Sequence, residues 1–239
     1  MPESIILHIE TATDICSVAI SEGDQILALV ESGPERSHAS LLNSFIRKAL
    51  EQSGKDFASL SAVCVSKGPG SYTGLRIGVS TAKGITYALE IPLLATGTLD
   101  NMAYGALHHP SLREPLATNR NQILLCPLLD ARRMEVYSCF FSTDLKVKRE
   151  VSADIISEKS YHSLLEDHSI YFFGNGSAKC SGVINHSNAH FIEGIEPSAG
   201  EMIHPAWKRF TNKLFEDVAY FEPYYLKDFI ATIPKNKVL

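Results

Sequence analysis

The sequence predicts an α/β protein of two lobes, each a mixed β-sheet flanked by helices. Three observations carry this reading. The first hundred residues run in the order β-β-β-α-β-α-β-α. A polar stretch with two prolines, residues 108–122, then interrupts the apolar pattern. Beyond it a second block opens, like the first, on a buried strand followed by further strands, as a duplicated unit would. The division expected is 1–104 for the first lobe and 105–239 for the second, with the tail free to return to the first.

Residues 4–10 (SIILHIE) are almost continuously apolar, as in a strand buried on both faces. Residues 16–20 and 25–30 are two further strands, and Glu22-Gly23-Asp24 supplies hairpin chemistry between them. A helix over 40–52 stops at Ser53-Gly54. Its apolar residues Leu41, Leu42, Phe45, Ile46, Ala49 and Leu50 span about 180° of its surface, where one sheet needs only somewhat more than about 100°. The excess predicts a second surface to cover. Residues 62–66 are a strand, 67–74 (KGPGSYTG) a turn-rich loop, and 74–89 a helix ending before Pro92. A short strand over 93–96 and a weaker helix over 99–107 close the first block. In the second, strands are expected at 123–129, 136–141 and 147–151. A strand then enters the Gly turn at 171–176, a helix spans 201–215, and a loose basic tail ends the chain at 231–239.

Composition narrows the function classes. The 239 residues are 45% hydrophobic and 21% charged, an ordinary globular mixture. The net charge of −5 argues against gripping nucleic acid unaided, because phosphate contacts need a basic surface. Five cysteines (Cys16, Cys64, Cys126, Cys139, Cys180) show no C-x-x-C spacing, and four of them sit in apolar runs and read as small buried hydrophobes. The Met-Pro-Glu-Ser start lacks the basic region of a signal peptide, and no apolar stretch reaches the roughly 18 residues of a membrane span. A cytoplasmic protein is expected.

The glycine loop offers two readings. Gly70, Ser71 and Thr73 open a helix and form a candidate anion or nucleotide loop. Alternatively its glycines only permit a sharp strand-to-helix turn. It is no Walker A loop, since no Gly-Lys-Ser/Thr follows. In the helix beyond, Gly74, Gly78 and Ala82 share one face, which suits close packing on the protein's own sheet or on another subunit. The turn Glu10-Thr-Ala-Thr-Asp14 is a hairpin that could bind phosphate through Thr11 and Thr13 or a metal through Glu10 and Asp14. In Asp130-Ala-Arg-Arg-Met-Glu135, pairing of Arg132 or Arg133 with the acids is the expected role. No catalytic or metal constellation can be assembled from the spacing.

Six segments, ILHIETAT, SHASLLNSFIRKALEQSG, VSKGPGSYTGLRIGVSTAKGITYALEIPLLATGTLDNMA, LLDARRMEVY, FFGNGS and FEPYYLKDF, resemble in order one family. It is the bacterial TsaB (YeaZ) family of tRNA threonylcarbamoyladenosine biosynthesis. The resemblance implies the actin, sugar-kinase and Hsp70 fold. It also implies a role in placing threonylcarbamoyl on the adenosine beside the anticodon of tRNAs that read codons starting with A. The partners implied are a larger catalytic paralogue, TsaD, and an ATPase subunit, TsaE, with tRNA met only through the complex. A homodimer of the isolated chain stays open. No intrinsic cofactor is implied, ATP and metal belonging to the partner subunits.

The paralogue's His-x-x-x-His metal motif, laid on this chain from Pro92, falls on Thr98 and Met102, poor ligands for zinc or iron. Glu10 stands where nucleotide-using relatives carry Asp. The resemblance therefore implies a non-catalytic subunit that supports its partner by helix–helix contact. Leu42, Phe45, Ile46, Gly74, Gly78 and Ala82 are the expected interface, with Arg76 and Lys83 at its rim. On that expectation, a bulky residue at Gly78 weakens the complex and spares the monomer. The alternative is an enzyme in its own right, metallopeptidase-like or nucleotide-hydrolysing. A plain tRNA-binding module conflicts with the acidic charge, although Lys235 and Lys237 in the tail are placed to touch RNA within a complex.

Overall fold

The computed structural model describes residues 4–33 and 38–227, so the tail carrying Lys235 and Lys237 lies outside the described residues. The first sheet holds β1 (Ile5–Glu10), β2 (Ser17–Glu22), β3 (Gln25–Glu31), β4 (Leu60–Ser66) and β5 (Leu93–Thr96) in the order β3-β2-β1-β4-β5. β1 is central, antiparallel to β2 and parallel to β4. The second holds β6 (Ile123–Asp130), β7 (Glu135–Ser142), β8 (Val147–Ile155), β9 (Ser169–Phe173) and β10 (Ala189–Phe191) in the order β10-β9-β6-β7-β8. There β6 is central, antiparallel to β7 and parallel to β9. The two orders are the same pattern, which gives physical form to the duplication hinted at by the sequence. This is the two-lobed actin, sugar-kinase and Hsp70 arrangement.

Alternation along β1 sends Ile5, Leu7 and Ile9 to one face, where α1 (His38–Ser53) and α2 (Tyr72–Leu89) cover them. Ile6 faces the other way and meets Ala199, Met202, Ile203 and Ala206, the last two from α7 (Ile203–Thr211). So residues from the far end of the chain return to the first sheet. The reverse exchange is made by α3 (Thr98–Ala106), whose Leu99, Met102, Ala103 and Ala106 pack with Ile123, Leu125, Phe141 and Phe173 of the second sheet. A boundary at residue 104 therefore cuts through a helix that already belongs to the second core. The helix expected over 201–215 stops at Thr211, and the proline-rich stretch contains a short helix, α4 (Arg113–Asn119). Two further short helices, α5 (His162–Asp167) and α6 (Ser177–Ser181), flank β9.

All five cysteines are buried free thiols, and burial pushes Cys64 up to about 12, far from a reactive thiolate. No helix among the described residues is long and apolar enough to cross a membrane.

Candidate functional site

The glycine loop connects β4 to α2 and is clamped on the β1–β2 turn. The Ser71 amide donates to the Ala12 carbonyl at 2.6 Å, and Thr11 Oγ1 donates to the Gly74 carbonyl at 2.8 Å. Ser71 caps α2 by accepting from the Gly74 amide at 3.3 Å, a contact worth about 1 kcal/mol. A Cβ on Gly70 would stand 2.3 Å from the Ala12 carbonyl oxygen, and one on Gly78 would stand 2.3 Å from Thr11 Oγ1. Gly70 is required because the Ala12 backbone approaches too closely for a side chain, and Gly78 because the Thr11 hydroxyl occupies the place of its Cβ. Of the candidate anion loop, Gly70 and Ser71 are engaged in this packing, while Thr73 is exposed on the first turn.

The β1–β2 turn is likewise turned inward. Glu10 is fully buried, its Oε1 accepts from the Ala12 amide at 2.7 Å, and burial pushes its carboxyl up to about 7. Thr11 and Thr13 are buried and Asp14 is exposed, so Glu10 and Asp14 do not converge as metal ligands.

The helix interface drawn from sequence needs correction. Leu42, Ile46 and Ala82 are buried in the first-lobe core, and Gly74 and Gly78 are buried against the β1–β2 turn. The small-residue face of α2 is spent on the protein itself, so a bulky residue at Gly78 attacks the monomer. Phe45 is half-buried against the same core, as are Leu41, Ile77 and Ile85. Arg76 donates to Tyr225 Oη at 3.3 Å, and Lys83 donates to the carbonyls of Ala219 and Phe221 at 3.1 and 3.0 Å. Both cations hold the protein's own C-terminal strap, residues 212–227. The sequence leaves this tail free to return to the first lobe, and FEPYYLKDF lies within it, without naming the strap's contacts with α2. Its signal is backbone hydrogen bonding, such as the Tyr224 amide to the Lys67 carbonyl at 2.7 Å.

Between the lobes a cavity of about 250 Å³ is bordered by Lys67, Pro69, Asp100, Cys139, Glu150 and Tyr224. α3 enters beside it. Its Thr98 is buried and shares a 2.7 Å hydrogen bond with Ser66 Oγ. Met102 is buried too, its Cε close enough to Gly174 that a Cβ there would meet it at 2.6 Å. Thr98 and Met102, the positions on which the resemblance lays the paralogue's metal histidines, are thus side chains committed to packing.

A model of the family "tRNA N6-adenosine threonylcarbamoyltransferase", TsaD, matches residues 32–235. The chain is 28% identical over 236 residues to the tRNA threonylcarbamoyladenosine biosynthesis protein TsaB of Escherichia coli K12, covering 95% of this chain and 96% of that one. The chain belongs to this family, on its TsaB branch. A tRNA N6-adenosine threonylcarbamoyltransferase of Halalkalibacterium halodurans is 34% identical over 128 residues, which cover 47% of this chain and 37% of that protein. YeaZ from Pseudomonas aeruginosa superposes with a TM-score of 0.77 at 21% identity, covering 93% of this chain and 100% of that one, and so shares the fold.

In this TsaB-branch chain the β6–β7 turn behaves unlike its counterpart in the first lobe. Asp130 pairs with Lys179 at 2.6 Å, and Glu135 accepts from Lys227 Nζ at 2.6 Å. The expected pairing of these acids with Arg132 or Arg133 is therefore replaced by two lysines distant in sequence. Both arginines are exposed, with left-handed backbone at φ +69° and +48°.

Proposed function

We propose that this chain is an accessory, non-catalytic subunit in tRNA threonylcarbamoyladenosine biosynthesis, which supports threonylcarbamoyl transfer by binding the catalytic paralogue TsaD. The carrying observation is the fate of the two metal-motif positions. Thr98 is hydrogen-bonded to Ser66 and Met102 is packed into the second core, so neither side chain is free to seat a donor-activating metal. The names of its relatives support the same reading, since the two matched over 95% of this chain are both TsaB, while the transferases match less than half of it.

The partner surface is then the outward side of α1 and α2, redrawn from the corrected burial. Leu41, Phe45, Ile77 and Ile85 keep an edge in solvent although they pack on the core, and Tyr87 is 82% exposed. Homologous helices of the paralogue would complete a four-helix contact over this apolar edge. The ATPase subunit TsaE joins that pair, and ATP and metal belong to the partners. The isolated chain has the same helices available for a homodimer.

Co-elution with TsaD tests the surface. Phe45→Glu and Tyr87→Glu are each expected to weaken the complex at least tenfold while the melting temperature of the Tyr87 variant stays within a degree or two of wild type. Undiminished co-elution of both variants would move the contact elsewhere.

A further inference from the structure

The β6–β7 turn carries a feature that subunit docking through α1 and α2 does not use. Two consecutive non-glycine residues, Arg132 and Arg133, hold left-handed backbone, which costs L-residues other than Gly, Asn and Asp appreciable strain. Such conformations persist only where the surroundings over-determine them, and they cluster at binding sites. Here the surroundings do so. The Arg132 amide donates to Asp130 Oδ1 at 2.7 Å. Lys179 Nζ donates to Asp130 Oδ1 at 2.6 Å and to the carbonyls of Arg133 and Glu135 at 2.8 and 2.6 Å. The Ile156 amide donates to the Met134 carbonyl at 2.7 Å.

Charge is arranged to the same end. The two carboxylates of the turn are each met by a lysine, and among the described residues neither guanidinium makes a side-chain hydrogen bond or ion pair. Two cations without a charged partner among the described residues thus stand on consecutive exposed positions of a protein whose net charge is −5. Lys227 links the turn to the strap, and two residues earlier Tyr225 packs at a tilt against Tyr72, ring centroids 4.7 Å apart, and accepts from Arg76. Arg76 in turn lies 4.3 Å over the Tyr72 ring. The strap thus ties the start of α2, at Tyr72 and Arg76, to Glu135 at the base of the turn.

We propose that Arg132 and Arg133 form a phosphate-binding clamp for the RNA backbone, so that this chain touches the tRNA substrate directly. Two adjacent guanidiniums on a rigid turn suit phosphate oxygens, which they engage through paired N–H donors. Contacts of this type position a nucleic acid without reading its sequence, and two of them are too few to hold RNA alone. The acidic chain therefore contributes only once its partner has brought the tRNA into reach. The proposal rests on the accessory-subunit reading above. That reading fails separately, in the wild-type mixture, if the two proteins do not co-elute.

The test compares the wild-type complex with TsaD against the same complex carrying Arg132→Asn/Arg133→Gly or Arg132→Lys/Arg133→Lys. Unmodified tRNA and ATP serve as separate probes, each titrated at several salt concentrations. Asn and Gly take left-handed backbone readily, so the first variant is expected to melt at or above the wild-type temperature. Its tRNA affinity is expected to fall on the order of tenfold, with the log–log salt slope shallower by about one per arginine removed. The double lysine variant is expected to keep most of the salt slope. Unchanged tRNA affinity in the Asn/Gly variant would overturn the proposal. So would loss of co-elution, which would make the arginines a protein contact, or weakened ATP binding with tRNA binding intact.

Discussion

The β1–β2 and β6–β7 turns occupy the same place in two sheets of the same strand order, yet their polar residues have opposite fates. In the first lobe Glu10, Thr11 and Thr13 are buried and bonded to backbone beneath the start of α2. In the second, Arg132, Arg133 and Met134 stand in solvent on a turn held from behind by Lys179. The difference shows how a duplicated fold divides labour. One turn is a rivet that fixes the start of α2, and its threonines are spent on the protein itself. The other leaves its side chains in solvent, which is the ground for the phosphate contact proposed above.

The largest expected effect breaks the rivet. Gly78→Leu places a side chain where Thr11 Oγ1 already stands, and should cost about 3 kcal/mol or more of stability in chemical denaturation. Gly78→Ala should cost about 1–3 kcal/mol, and much of that should return in the Gly78→Ala/Thr11→Ala double variant, because the next contact is an ordinary 3.5 Å. A selective loss of partner binding with an unchanged melting temperature would restore the interface role of this face.

The next effect is electrostatic. Burial raises Glu10 to about 7, so the folded state holds its proton more tightly than the unfolded state. Stability from this group is present at low pH and is lost as pH rises from about 4.5 through 7, a change of roughly 3 kcal/mol. His8, two residues earlier on the same strand face, is lowered to about 3 by burial and works the other way. Its contribution is lost as pH falls below 6.5. The two trends oppose each other between pH 4.5 and 6.5, so the wild type should show a nearly flat profile there. Glu10→Gln should be more stable than wild type by about 3 kcal/mol at pH 7.5, with the difference vanishing near pH 4.5. A difference independent of pH would mean that Glu10 is not the titrating group.

The smallest effect concerns the displayed turn. Lys179→Ala removes the donor that ties two turn carbonyls and Asp130, and should cost about 1–2 kcal/mol. Amide exchange should quicken at 131–135 and not in the β1–β2 turn. Equal protection in both variants and both turns would deny Lys179 its role.

Much of this fold was legible in the residues. Continuous apolar runs such as IILHIE mark strands covered on both faces, and the helix expected over 74–89 is α2, which starts two residues earlier at Tyr72. What was not legible is assignment between like surfaces. The apolar face of α3 does not encode which of two similar sheets it covers, so the lobe boundary fell inside the helix. The four-residue spacing of Gly74, Gly78 and Ala82 announces a close approach without naming the neighbour, which proved to be the β1–β2 turn for the two glycines and the first-lobe core for Ala82. The apolar arc of α1 was real, but Leu42, Ile46, Ala49 and Leu50 fill the protein's own core and leave only the edge at Leu41 and Phe45. The strap over α2 is held by main-chain carbonyls, which any sequence supplies. Pairing of charges was misassigned for a related reason: Lys179 and Lys227 are 44 and 92 residues from Glu135 in sequence and reach the turn only through the fold.

The most direct test of a required but non-catalytic subunit is transfer of labelled threonine onto tRNA from threonylcarbamoyl-AMP. Three mixtures are compared: TsaD, TsaE and this chain together, the same without this chain, and this chain as the only protein. Transfer in the first alone is the predicted result. Transfer by the chain on its own, or undiminished transfer in its absence, would contradict the role assigned to it.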